Sequence, residues 1–448
     1  MPRRLIMPEA GQALYARLAA AIEDAIDAGQ FRAGEQLPTH RQLAEQFSVS
    51  IGSVTRAIDA LSARGIIRGE VGRGTYVLER SDALDDGGVI DLTINAPPPV
   101  LGLAQLEAAS TLANRQALAL VHGGYGDVAG SERQRMVLAE WLTQLRTPLN
   151  GEEIVLCNGA QQALHLAFAV LGDTSRIILT EGASFPGALA AASNLGMAMS
   201  AVAHDEEGMA PAALDAALAR TGARVVYVTP VCQNPLGFET GPERRRAIVE
   251  VVRRHHAMIV EDDIYGLYAA KGNLTFRDLA PDHTVYITGL SKSLTPLVRV
   301  GVIAPPPQLL AAVRRRMRAE SWALPPYVAE LAVALIESGA AEHALKSLRV
   351  EALARVKLAQ SILGLASVPM PTGAPHLWLG MPALQAEQLA RRASEAGVRI
   401  TPPTAAQVGD EPVAGVRLCI MAPSTRPVLE RALRTIAGIL ASEEDAVI

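Results

Sequence analysis

Val285-Tyr286-Ile287-Thr288-Gly289-Leu290-Ser291-Lys292-Ser293-Leu294 runs from four β-forming residues through a glycine to a lysine. The first four have the length and composition of a buried strand. In doubly wound sheets, the loops beyond strand ends are where ligands sit. The lysine is conspicuous, because the chain has 41 basic residues but only four lysines, Lys271, Lys292, Lys346 and Lys357. An amine held in a low-dielectric pocket loses its proton readily and can condense with an aldehyde. On position alone a surface lysine near a helix start is the better reading, so the choice rests on what accompanies it.

Outward from Lys292, the runs Ile177-Ile178-Leu179-Thr180, Val225-Val226-Tyr227-Val228 and Met258-Ile259-Val260 alternate with helical segments from about residue 154. This is the rhythm of an α/β fold, a doubly wound, mostly parallel sheet with helices on both faces. Beyond Pro325 a long helical stretch leads to a last segment with Val416-Arg417-Leu418 as a strand, a smaller C-terminal α+β part. The loops after the β runs hold distinctive residues. Asp262 follows Met258-Ile259-Val260-Glu261, with Tyr265 three residues on; Asn234 sits in Gln233-Asn234-Pro235-Leu236-Gly237; Phe185 sits in Glu181-Gly182-Ala183-Ser184-Phe185-Pro186-Gly187. Asn158-Gly159-Ala160-Gln161-Gln162 precedes a helix, and Arg299 lies seven residues beyond the lysine. An aldehyde cofactor such as pyridoxal phosphate needs this set: a carboxylate at its pyridine nitrogen, donors at its phenolic oxygen, an aromatic face over the ring, and helix-start amides with an arginine at the phosphate. Singly each residue is an ordinary loop residue; together and in this order they are a strong signal.

The first eighty residues have another character. Leu14, Leu18, Ile22 and Ile26 make one apolar helix face over 10–28, with Gly29 after it. Thr39 with Gln42 has capping-box spacing and opens a short helix through Phe47; Ser48-Val49 is a break; Ser50 caps a third helix, 51–64, that buries Val54, Ile58 and Leu61 and stops at Gly65. Two β runs, 66–68 and 75–78, flank Val71-Gly72-Arg73-Gly74. Three helices and a β-wing form a winged helix-turn-helix, whose last helix fits a DNA major groove. Ser53 and Arg56 face outward near that helix's start, Arg41 opens the preceding helix, and Arg73 stands at the wing tip between Gly72 and Gly74, which permit close approach to DNA. Charge does not settle it: residues 1–80 hold ten Arg against nine Asp plus Glu, which taken alone favours a plain three-helix interaction module with ordinary solvated arginines. Ser81 to Gly88 is acidic, ends in Gly87-Gly88 and reads as a linker.

At 448 residues the chain is too long for one ordinary domain. With 49% hydrophobic and 19% charged residues it can bury large cores and is not disordered. A net charge of −5 excludes a generally basic protein, so any nucleic-acid contact is local. No stretch reaches the length of a membrane span, the basic start lacks a signal peptide's apolar run, and a cytoplasmic location is expected. Cys157, Cys232 and Cys419 are odd in number, widely spaced and without a C-x-x-C pair for a metal or disulfide, so reduced core thiols are expected.

Leu37-Pro38-Thr39-His40-Arg41-Gln42-Leu43-Ala44, then Val49-Ser50-Ile51-Gly52-Ser53-Val54-Thr55-Arg56-Ala57, then Gly72-Arg73-Gly74-Thr75-Tyr76-Val77, resemble the winged helix of GntR-type bacterial regulators in order and spacing. The Lys292 constellation resembles fold-type I pyridoxal-phosphate enzymes, the aspartate-aminotransferase-like class, over roughly 90–440. The whole chain resembles the MocR branch of GntR regulators. The resemblance implies a DNA-binding domain at 8–80, a linker at 81–89 and an aminotransferase-like domain at 90–448, split into a large part of about 90–335 and a small part of about 336–448. By it Lys292 is the Schiff-base lysine, Asp262 meets the pyridine nitrogen, Asn234 and Tyr265 the phenolic oxygen, Phe185 the ring face, and Gly159, Ala160, Gln161, Ser291 and Arg299 the phosphate. It makes Arg417 the grip on an effector's α-carboxylate. It makes Tyr125, in Gly123-Gly124-Tyr125-Gly126, a phosphate contact to a neighbouring subunit, hence a head-to-tail, domain-swapped homodimer. Operator DNA falls to Arg41, Ser50, Ser53, Thr55, Arg56, Gly72, Arg73 and Gly74. Three positions depart from the pattern: Ile51 where many relatives have Arg, Gly289 where a hydroxyl residue is usual three before the lysine, and Asn158 where a hydroxyl residue is common. The implied function is a transcriptional regulator sensing pyridoxal phosphate, an amino acid or an amine. A working aminotransferase with a DNA-binding appendage, or a cofactor-free dimerisation scaffold, fits the same residues.

Overall fold

The computed structural model describes residues 14–27, 30–31, 34–63, 66–70, 74–77, 88–119, 124–270, 272–365, 374–410 and 413–444. They fall into two compact units: residues up to 87 with 101–108, and residues 88–100 with 109–448. Residues 81–87 of the linker expected at 81–89, the wing tip with Gly72 and Arg73, and Gly29 and Gly65 lie outside the described residues.

The first unit contains α1 (Leu14–Asp27), α2 (His40–Phe47), α3 (Ile51–Ala63), β1 (Ile67–Glu70) and β2 (Gly74–Val77). Leu18 and Ile22 are fully buried in one core with Val54, Ile58 and Leu61, while Leu14 is 40% exposed, so the buried face starts a turn later than the spacing predicts. Thr39 and Gln42 form the expected capping box. Ser48, left-handed at φ 54°, turns the chain, and the Ser50 hydroxyl accepts the Ser53 amide at 3.2 Å to start α3. β1 and β2 pair antiparallel with Ile67 opposite Val77 and Glu70 opposite Gly74.

The second unit begins with β3 (Ile90–Asp91) and builds its main sheet from β4 (Val155–Asn158), β5 (Ile177–Glu181), β6 (Ala198–Val202), β9 (Val225–Val228), β10 (Met258–Asp262), β11 (Thr284–Gly289) and β12 (Val300–Ala304); β7 (His204–Asp205) and β8 (Gly208–Met209) form a separate hairpin. The sheet order is β4-β12-β11-β10-β9-β5-β6. All neighbours are parallel except β12, which runs against β11 and β4. Every residue of β9, β11 and β12 is buried, which is why these strands read as continuous apolar runs rather than alternating ones. The parallel arrangement brings the C-terminal ends of six strands to one edge of the sheet, where the distinctive loops gather.

The C-terminal part pairs β13 (Leu377–Gly380) with β15 (Gly415–Leu418), and β14 (Val398–Arg399) with β3. Ile90 and Leu92 share its core with Leu345, Leu418 and Ile436, and the Cys419 amide donates to the Leu92 carbonyl at 3.0 Å. The entry strand thus pairs with a strand of the part expected at 336–448, in a core that also takes in Tyr265 and Tyr268. Ile90 and Leu92, on either side of Asp91, alternate and so face the same side of extended chain. Cys157, Cys232 and Cys419 are buried and none is joined in a disulfide, and among the described residues no helix is long and apolar enough to cross a membrane.

Candidate functional site

At the C-terminal edge of the sheet lies a cavity of about 470 Å³. Lys292, Asp262, Tyr265, Asn234, Phe185, Ala160, Gln161, Ser291, Arg299 and Arg417 all line it, brought together from the helix start after β4, the end of β10, the loops after β5, β9, β10 and β11, and β15. Among the described lining residues three cations face one carboxylate, so the cavity suits a ligand with more than one anionic group.

Asp262 is buried, with one oxygen accepting from the Tyr227 hydroxyl at 3.0 Å and the other, Oδ1, without a hydrogen-bond partner. A buried acceptor left empty is costly, and a protonated ring nitrogen is the partner such an atom fits. Burial pushes the Asp262 carboxyl up to about 6 against the pull of Tyr227, so it is mostly ionised at neutral pH. The neighbouring acid points elsewhere: Asp263 accepts from Arg146 at 2.9 Å and Tyr286 at 3.0 Å. Burial drives the Lys292 amine down to about 8, with Arg299 and Arg417 adding to the effect. Its amine donates to the Asn95 carbonyl.

The turn after β4 starts the helix Gly159–Leu171, and Asn158 makes no capping bond to it, donating instead to the Gln162 side chain at 2.9 Å. The first amides of that helix are thus without a side-chain cap, as an anion site requires. Gly159 is left-handed at φ 75°, and a Cβ there would meet the Arg299 guanidinium at 3.0 Å. Arg299 also donates to Ser291 at 3.4 Å. The departure at Gly289 has a steric reason, since a Cβ would lie 3.0 Å from the Val300 carbonyl oxygen. Gly301, which the sequence did not single out, faces the same turn: a Cβ would stand 2.3 Å from the carbonyl carbon of Gly159 and 2.6 Å from the Ala160 amide. Gly301→Ala is expected to destabilise the protein by about 1–3 kcal/mol through overpacking and to weaken pyridoxal-phosphate retention by displacing this turn. Thermal unfolding and cofactor titration check both, and an unchanged affinity would separate the turn from the cofactor.

Arg417 is buried and donates to Asn234 Oδ1 at 2.5 Å, to the Thr93 carbonyl at 2.5 Å and to Thr401 Oγ1 at 2.8 Å, while its Nε has no partner. Thr93, Asn95 and Thr401 line the cavity too, and none was legible beforehand. Nor was His376, which with Asn95 stands behind Tyr265. The one hint was an Asn and a His within otherwise apolar or proline-rich segments.

Tyr125 does not line the cavity; it is 80% exposed with its ring 5.1 Å from that of Trp322. In the first unit Arg41 and Arg56 are exposed on α2 and α3, as are Ser50 and Ile51. Ser53 bonds Ser50, and Thr55 bonds His40 and the Ile51 carbonyl, so these hydroxyls serve the fold in the free protein. Gly74 has φ 117°, and a Cβ would collide with Gln36.

Residues 87–436 match the family model described as aminotransferase class I and II, and residues 14–77 match that for bacterial regulatory proteins of the gntR family. The HTH-type transcriptional regulator YdeF of Bacillus subtilis (strain 168) is 24% identical, over 96% of this chain and 95% of its own length. The HTH-type pyridoxine biosynthesis transcriptional regulator PdxR of Corynebacterium glutamicum is 29% identical, over 68% of this chain and 70% of its own. Among solved structures, LysN, an α-aminoadipate aminotransferase of Thermus thermophilus complexed with N-(5'-phosphopyridoxyl)-L-leucine, is similar with a TM-score of 0.72 at 25% identity, over 83% of this chain and 96% of that one. The chain belongs to the class I and II aminotransferase family and carries, at residues 14–77, the DNA-binding domain of GntR-family regulators.

Proposed function

We propose that this chain is a transcriptional regulator that binds double-stranded operator DNA through its winged helix and responds to an amino acid, an amine or pyridoxal phosphate through its aminotransferase-like domain. The observation that carries the reading is a cavity with a buried carboxylate oxygen lacking a partner, a lysine brought down to about 8 and two arginines, in one chain with a GntR-type domain. Bound pyridoxal phosphate supplies an aldehyde that links reversibly to primary amines and a ring that withdraws electrons. Lys292 holds the aldehyde carbon, Asp262 Oδ1 the ring nitrogen, Asn234 and Tyr265 the phenolic oxygen, and Phe185 a ring face. Gly159, Ala160, Gln161, Ser291 and Arg299 hold the phosphate, and Arg417 an effector carboxylate. Tyr125, exposed here, is suited to the phosphate of a second subunit in a head-to-tail homodimer. PdxR, by its name a regulator of pyridoxine biosynthesis, favours pyridoxal phosphate itself as one effector.

An effector acts only through different affinities for two states. Arg417 on β15 and Asn234 after β9 join the C-terminal part to the main sheet, so closing of that part around a carboxylate is the proposed switch. The second reading, a working aminotransferase, is favoured by the tuned lysine and by the likeness to LysN. Absorption spectra of the protein loaded with pyridoxal phosphate, taken with a panel of amino acids and amines, separate the two. A shifted band without turnover supports the regulator, and conversion to a carbonyl product over many cycles supports the enzyme.

For the DNA end, selection of bound fragments from a pool of random duplex DNA should enrich a site whose binding one effector alters. Arg56→Ala should weaken binding roughly 5- to 100-fold, the scale of one base contact. Equal affinity of Arg56→Ala and the parent would remove Arg56 from the interface.

A further inference from the structure

We propose that His376 and Asn95 form a one-way hydrogen-bond relay that makes Tyr265 a donor toward the cavity. The proposal rests on the reading that pyridoxal phosphate lies there with its phenolic oxygen at Tyr265.

The polarity is set at the far end. The Gln233 carbonyl can only accept, so His376 Nε2, 3.0 Å away, carries the ring proton. Burial and the nearby Arg417 charge push the ring down to about 3, which keeps it neutral. Nδ1 then holds only a lone pair and accepts from Asn95 Nδ2 at 2.8 Å. That orients the amide, and its second N–H reaches Tyr265 Oη at 2.9 Å. The Tyr265 hydroxyl accepts this bond, so its own hydrogen is left for the cavity that it lines. Flipping the amide would set Oδ1 against the Nδ1 lone pair. Asn95, Tyr265 and His376 are 6%, 2% and 1% exposed, so bulk water does not relieve a wrong orientation. The Tyr265 and His376 rings also meet edge to face at 5.7 Å, which holds the hydroxyl in place.

In this arrangement Asn95 and His376 are positioning residues. A phenol free to rotate gives its hydrogen to whichever acceptor is nearest; one already accepting from Asn95 gives it to the ligand. A donor at the cofactor's phenolic oxygen stabilises the anion there and lowers the pH at which the lysine-bound visible band changes form. That midpoint is a readout independent of any turnover.

The test is a double-mutant cycle on the full chain loaded with pyridoxal phosphate. Tyr265→Phe should raise the midpoint by about one pH unit, the scale of one charge-assisted hydrogen bond. Asn95→Asp keeps the shape but replaces donors by acceptors, so the tyrosine turns its hydrogen to the new carboxylate. Adding Tyr265→Phe to it should then produce no further rise. Charge alone would shift both backgrounds and leave the Tyr265→Phe increment intact, so an intact increment overturns the relay. Should Asn95→Asp not fold, His376→Gln, which can accept and donate in the same order, should keep the parent midpoint while His376→Leu raises it; equal midpoints in those two overturn the relay. Absence of any visible band in the parent protein overturns the occupancy reading and the relay with it, whereas a band with additive increments overturns the relay alone.

Discussion

Lys292→Ala is expected to abolish the visible band that the protein gains with pyridoxal phosphate, a complete loss rather than a weakening. Among the described residues lining the cavity, Lys292 is the one primary amine, and removing it leaves the aldehyde no partner to condense with. The parent's loading rate should also reveal how the lysine is tuned. Its value is lowered by burial to about 8, so the reactive neutral amine is the form present above that pH. The neutral fraction is roughly 1% at pH 6, about 9% at pH 7 and about half at pH 8. The rate of band formation should rise about fivefold from pH 7 to pH 8 and level off above pH 9. An ordinary lysine would keep gaining about tenfold per unit through that range. Stopped-flow absorption across pH 6–10 checks this, and a rate still climbing at pH 10 would mean the amine is solvated rather than buried.

Arg417→Leu should raise the amino-acid concentration needed to shift the band by roughly 100-fold or more, the scale of two lost charge-assisted hydrogen bonds in a buried setting. Amines without a carboxylate should respond as in the parent, because nothing of theirs reaches the guanidinium. Arg417→Lys should recover only part of the loss, since a point charge cannot make the two-pronged contact. Equal losses for amines and amino acids would instead assign Arg417 to holding Asn234, Thr93 and Thr401 in place.

How much of this was legible in the sequence depends on the range over which each feature is determined. The capping box at Thr39, the Ser48 break and the start of α3 are local and are found where the sequence puts them. The strand ends of the main sheet are local too, and residues from Phe185 to Arg417 line one cavity because a parallel sheet brings such ends together. Leu14 lies outside the buried stretch because periodicity reports a face but not where along the helix its neighbour begins. Asn95 and His376 are 281 positions apart, and nothing in either neighbourhood announces the other. Gly301 looks like any residue of an apolar strand until the turn crossing over it is seen.

The pairing of Ile90–Asp91 with Val398–Arg399 decides how the molecule can be dissected. A fragment begun at Pro97, where the text of the sequence turns proline-rich, would strip β14 of its neighbour, the Cys419 amide of its acceptor and Arg417 of the Thr93 carbonyl. The excised sensor would be damaged at the very end that grips a carboxylate. A cut made before Gly88 keeps all three, and in any chimera that exchanges the DNA reader, residues 88–95 travel with the sensor as its first strand.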